Sequence, residues 1–136
     1  MDLAQARAFL AHHHRAVLAT QRRGGRPQLS PVTVGIDADG HAIVSSRETA
    51  YKTRNIRRDP RVSLCVFTEA FLGPWIQIDG TATVLSLPEA MEPLVDYYRR
   101  LAGEHPDWTE YRQAMEREKR VLIRITMEHV GPDRRG

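Results

Sequence analysis

The sequence predicts a mainly β protein with helical covers (α+β), built as an antiparallel barrel. Three observations carry this prediction. Short apolar runs with strand-like alternation recur along the 136 residues and give six or so strands. Most are joined by turn-rich segments such as Arg23-Gly24-Gly25-Arg26 and Asp37-Ala38-Asp39-Gly40, which make hairpins. The strand–helix–strand rhythm of a parallel sheet is missing. The length suits one domain over 1–136, and no internal repeat, low-complexity tract or linker interrupts it.

Taken in order, Asp2 caps a first helix through about His12, with Leu3, Ala6, Phe9 and Leu10 on one face. Ala16 to Thr20 reads as a strand, and Gly24-Gly25 accepts the positive φ of a hairpin turn. The return strand covers Pro27 to Ile36. A third strand runs from His41 to Ser46, followed by a short basic helix that Asp59-Pro60 stops. The fourth strand spans Arg61 to Phe67. Gly73 to Leu87 reads as one long strand or two joined at Asp79-Gly80. Pro88 opens a helix carrying Ala90, Met91, Leu94, Val95, Tyr98 and Leu101 at helical spacing, ending near Gly103. Asp107 or Thr109 caps another helix through about Glu118. Val121 to Met127 forms the last strand, and the charged tail from Asp133 is expected to fray.

Composition narrows the function. Apolar residues make up 41% and charged residues 27%, as in an ordinary globular domain. No window approaches the roughly 18 apolar residues of a membrane span. No basic segment followed by an apolar core opens the chain. The single cysteine, Cys65, lies in an apolar strand pattern and cannot form an intrachain disulfide, which fits a reducing cytoplasm. A cytoplasmic protein is therefore expected. His12-His13-His14 point in different directions, and His41 and His105 lack metal-binding spacing, so no metal is expected. Nucleophile elbows, phosphate-binding Walker loops and dinucleotide glycine fingerprints are missing. With no acid–base pair in view, any hard chemistry belongs to a bound cofactor.

The stretch Tyr51 to Arg61 is the strongest chemical signal. It holds Lys52, Arg54, Arg57, Arg58 and Arg61 within eleven residues, directly after Ser45 and Ser46. Lys52 and Arg54 sit near the start of a helix, where free N–H groups and the helix dipole already favour an anion. A phosphate there would gain charge-assisted bonds. Aromatic residues for base stacking are not interleaved, so nucleic acid is not the expected partner.

Several segments together carry a family resemblance. Val17-Leu18-Ala19-Thr20 and Gly25-Arg26-Pro27-Gln28-Leu29-Ser30-Pro31-Val32 resemble the opening hairpin of the pyridoxamine 5'-phosphate oxidase-like split β-barrel proteins. Lys52 to Leu64 is similar to their phosphate-binding segment. Gly80-Thr81-Ala82, Tyr98 to Trp108, Tyr111 to Met115 and Arg120-Val121-Leu122 resemble the actinobacterial branch that uses the deazaflavin coenzyme F420. The similarity runs from about Phe9 to Val130.

The resemblance implies an FMN-binding-like, six-stranded split barrel that forms a homodimer, with cofactor sites at the subunit interface. It implies an oxidoreductase that moves a hydride between reduced F420 and a small electrophilic or conjugated molecule. Lys52 would contact the cofactor phosphate with Arg54 nearby. Ser30, Pro31, Val32 and Thr33 would lie along the ring, Ser45 and Ser46 beside the phosphate. Trp75 and Gln77 would approach from the partner subunit. The alternatives are an FMN flavoprotein of the same fold, or a non-catalytic protein binding F420, haem or another planar ligand. One departure stands out: relatives often carry an arginine two residues before the lysine, where this chain has Ala50. Arg47 and Arg57 are the sequence's candidates to replace it.

Overall fold

The computed structural model describes residues 1–135. In chain order the elements are α1 (Leu3–His12), β1 (Arg15–Gln21), β2 (Pro27–Thr33), β3 (Gly35–Ile36), β4 (Ala42–Arg47) and α2 (Tyr51–Arg58). Then follow β5 (Arg61–Phe67), β6 (Pro74–Leu85), α3 (Met91–Ala102), α4 (Trp108–Arg117) and β7 (Arg120–Arg135). The strands form one antiparallel sheet in the order β2-β1-β5-β6-β7-β4-β3.

Seven strands stand where six were expected, because the segment read as one strand from Pro27 to Ile36 breaks at Val34. Its first part pairs with β1 and its second with β4, at opposite edges of the sheet. The sheet therefore curls until its two edges meet in one continuous stretch of chain. Val34 is fully buried at the junction, where its backbone would otherwise lose its partners. His14 supplies both: its carbonyl accepts from Val34 N–H at 2.8 Å, and its Nδ1 lies 2.9 Å from Val34 O. Only a protonated Nδ1 can donate to that carbonyl, which fixes the tautomer.

Alternation builds the interior. Leu18, Val44, Leu64, Val66, Ile76, Ile78, Ile123 and Ile125 point inward and are at most 1% exposed. Ala6 and Leu10 of α1 and Ile56 of α2 pack against them. Asp2 and Gln5 form a reciprocal capping box at the start of α1. On β4 and β7 the opposite face is buried too. Ile43 and Leu122 meet Leu94 and Val95 of α3 and Tyr111 and Met115 of α4. Both faces being covered explains the unbroken apolar runs there.

Two further expectations change. Helix α3 starts at Met91 rather than Pro88, since residues 87–90 form a turn in which Met91 N–H bonds Pro88 O at 3.1 Å. The tail from Asp133 does not fray: β7 continues to Arg135, pairing Ile76 with Asp133 and Trp75 with Arg134. Gly73–Leu87 resolves as the single strand β6, with register shifts against β7 on either side of Asp79. Gly80 is required there, because a Cβ would lie 2.3 Å from Thr126 O on β7. Among the described helices none is long and apolar enough to cross a membrane.

Candidate functional site

Helix α2 follows β4 with Ala50 as its N-cap. No side chain caps the first turn, and no acidic residue lies in it. The first backbone N–H groups of α2 are thus left for another acceptor. Beneath this end, Thr53 and Ser46 are buried and their hydroxyls bond each other at 2.9 Å. They hold the helix start against β4.

The basic residues of α2 and the segment after it divide into two sets. Arg57 pairs with Glu48 and donates to Ser86 Oγ at 2.8 Å. Arg58 donates to Gln21 O and Asn55 Oδ1. Arg61 pairs with Asp59 at 2.7 Å and holds that carboxyl down at about 2. Lys52 and Arg54 make no ion pair or side-chain hydrogen bond with the described residues.

Lys52 opens onto a cavity of about 330 Å³, within the roughly 300–1,000 Å³ typical of small-ligand clefts. Pro31, Val32 and Thr33 of β2 and Ser45 of β4 line it, with Tyr97, Tyr98, Tyr111, Met115 and Arg120 on the other side. Five expected residues, Pro31, Val32, Thr33, Ser45 and Lys52, are therefore gathered at one place. β2 is an edge strand, so on its side away from β1 it has backbone groups without strand partners. Burial pushes the Lys52 ammonium below its ordinary pKa, and the Arg120 guanidinium lowers it further.

The tyrosines are held as neutral donors. Tyr97 donates to Thr33 O at 2.7 Å, tying α3 to the end of β2, and burial raises its pKa. Tyr111 donates to the buried Leu94 O at 2.8 Å, and burial, with Tyr97 nearby, pushes it up to about 12.

Other expected residues lie elsewhere. Ser30 bonds Gln28 on β2, and Arg54 is exposed on α2 outside the cavity lining. Gln77 lines a separate 190 Å³ groove with Val17, Ala19, Leu29, Ser63 and Cys65. There burial keeps the Cys65 thiol raised and protonated. The registers place Pro31, Val17, Cys65 and Gln77 in one cross-sheet row, and Thr33, Arg15, Phe67 and Trp75 in another. Three inter-strand steps of roughly 4.8 Å separate the two ends of each row, about 14 Å. Within one chain, Trp75 and Gln77 do not reach what Pro31 and Thr33 touch.

Arg47 is bound to Glu118 at 3.1 Å, so neither it nor Arg57 takes the position vacated at Ala50. Sequence reasoning missed Tyr97, Tyr98, Tyr111, Met115 and Arg120 as cavity residues. One overlooked signal was compositional. Lys52 and Lys119 are the only lysines among twenty Lys and Arg residues, so Lys52 stands out in an arginine-rich run. His41 sits in the turn of Asp37 and Asp39, where Asp37 Oδ1 accepts the N–H groups of Asp39 and His41.

Residues 3–132 match the family described as pyridoxamine 5'-phosphate oxidase. A conserved hypothetical protein of Mycobacterium tuberculosis superposes with a TM-score of 0.76 at 25% identity, covering 96% of this chain and 82% of that one. An F420 reductase superposes at 0.70 with 19% identity, over 91% and 94% of the two chains. HutZ, the haem storage protein of Vibrio cholerae, superposes at 0.70 with 17% identity, over 100% and 98%.

Proposed function

Because the chain belongs to the pyridoxamine 5'-phosphate oxidase family, we propose that it is an oxidoreductase using coenzyme F420 to reduce a small electrophilic or conjugated organic molecule. The observation that carries this reading is Lys52: a half-buried cation at a helix N-terminus, with no protein counter-charge among the described residues, opening onto a cavity. A cation in that place opposes the helix dipole and is desolvated, so it calls for a bound anion. F420 carries a phosphodiester and an oligoglutamate tail, both anionic. The resemblance of Gly80–Ala82, Tyr98–Trp108, Tyr111–Met115 and Arg120–Leu122 to F420-using proteins favours it over FMN.

The chain's own residues would bind and orient. Lys52 and the first N–H groups of α2 hold the phosphate. The edge of β2 at Ser30–Thr33 offers backbone groups to the ring, and Tyr97, anchored on Thr33 O, closes the other side. Ser45 lines the same space. When bound, F420 supplies the hydride, so positioning and exclusion of water are the protein's tasks. Three inter-strand steps, about 14 Å along the sheet, separate Trp75 and Gln77 from Thr33 and Pro31, which fits a homodimer in which the partner's copy of that strand completes the site. The protein would act in the cytoplasm.

A non-catalytic role in holding a planar ligand is the second reading, favoured by the shared fold with a haem storage protein. The test is a pair of fluorescence titrations of the ligand-free protein, one with F420 and one with FMN, followed by assays of reduced F420 with electrophilic acceptors. Saturable F420 binding tighter than FMN binding, with acceptor-dependent oxidation, is the expected result. Tighter FMN binding would make it a flavoprotein, binding without turnover would support the holding role, and binding of neither would overturn both.

A further inference from the structure

We infer that Arg120 is the second cation of the Lys52 cavity, gripping the same anionic group; this rests on the anionic-cofactor reading above. Arg57, Arg58 and Arg61 are bound to Glu48, Gln21 O and Asp59, and Arg47 to Glu118. None of these four lines the cavity, whereas Arg120 does.

Arg120 is also built into place. Its side chain is only 26% exposed. Its Nε and Nη2 reach one carboxylate oxygen of Glu118, at 3.0 and 2.8 Å, leaving Nη1 without a protein partner among the described residues. Glu118 caps the end of α4, and Lys119 then adopts φ 52°, a left-handed turn that returns the chain to β7. Lys119 O accepts from Glu48 N–H at 2.9 Å, and Arg120 enters the sheet opposite Arg47. Arg47 grips the same Glu118 oxygen at 3.1 Å. The carboxylate is thereby pinned from two sides, and Arg120 with it.

The charges add up to a receptor for an anion. Arg47, Glu118 and Arg120 together carry one net positive charge, and Lys52 adds another. Lys52 and Arg120 face the same space and repel across it, which is one cause of the lowered Lys52 pKa. An anion between them relieves that repulsion. A planar guanidinium with free donors can contact a phosphate oxygen while the ammonium takes another. Arg120 thus supplies from β7 the charge that Ala50 does not supply from α2.

The experiment compares wild type with Arg120→Gln and Arg120→Lys for binding F420 and, separately, inorganic pyrophosphate. Lysine-selective NMR follows Lys52, with Lys119 as the internal reference, and thermal melting verifies folding. Arg120→Gln is expected to weaken both ligands about 10- to 150-fold, the range for losing a hydrogen bond to a charged group. Arg120→Lys, which keeps the charge and loses the fork, should fall between. In the ligand-free Gln variant the Lys52 pKa should rise. Unchanged affinity of the folded variants for both ligands would overturn the inference, even if wild type binds F420 tightly. Pyrophosphate binding that depends on Arg120, in a protein that ignores F420, would uphold the inference and reject the F420 reading.

Discussion

At the C-terminal end of α2, Arg57 and Arg58 are tied to protein acceptors, as is Arg61 just beyond, whereas at its N-terminal end Lys52 and Arg54 have none among the described residues. The helix dipole sharpens this contrast. Cations at a helix C-terminus are favoured, so Arg57 and Arg58 serve the fold where they stand. A cation in the first turn is disfavoured, and Lys52 adds to that a partial burial and a nearby guanidinium. On the proposed reading, a charge that costs the fold stability and is left unpaired among the described residues is there for a ligand. Charge density alone does not distinguish the two ends; the presence of a protein counter-group does.

Each difference between the two ends of α2 has its own test. Lys52→Ala should weaken F420 binding by about 1.5–3 kcal/mol, roughly 10- to 150-fold, in a fluorescence titration, while the melting temperature holds or rises. The pH dependence has a definite sign. Binding persists while Lys52 is protonated and is lost as pH rises through its lowered pKa, so the decline begins below the ordinary 10.5. Thr53→Val tests the support beneath the site. It leaves the buried Ser46 hydroxyl without its partner and should cost about 1–3 kcal/mol in chemical denaturation, with F420 affinity nearly unchanged. Arg57→Ala is the smallest effect: removing a partly exposed pair with Glu48 should cost about 0.2–1 kcal/mol of stability and leave binding untouched. If Arg57→Ala weakened binding as much as Lys52→Ala did, the two ends of α2 would not be different in kind.

The barrel was legible because its signals are local. Short apolar runs marked β1, β5 and β7 as strands, and Asp2 and Asp107 announced their helices through caps that form within three residues. The break at Val34 was not legible, since Val32-Thr33-Val34-Gly35-Ile36 reads uniformly as strand and the residue that permits the break is His14, twenty positions earlier. The tail failed for a similar reason: charge near a terminus suggests fraying, but β6 is long enough to pair it to Arg135. Lys52 was singled out by its place at a helix start, and Ser45 and Pro31–Thr33 by the family resemblance; all of them line one cavity. Tyr97, Tyr111 and Arg120 arrive from α3, α4 and β7, and only tertiary packing brings them to that space.

The most direct measurement is a lysine-selective NMR titration of Lys52 with and without saturating F420, read against Lys119 in the same spectra. Lys52 is expected to titrate below an ordinary lysine when free and to shift upward on binding, with the Lys119 signal unchanged by the ligand. Saturation by F420 that leaves the Lys52 signal and its pKa unchanged would contradict it.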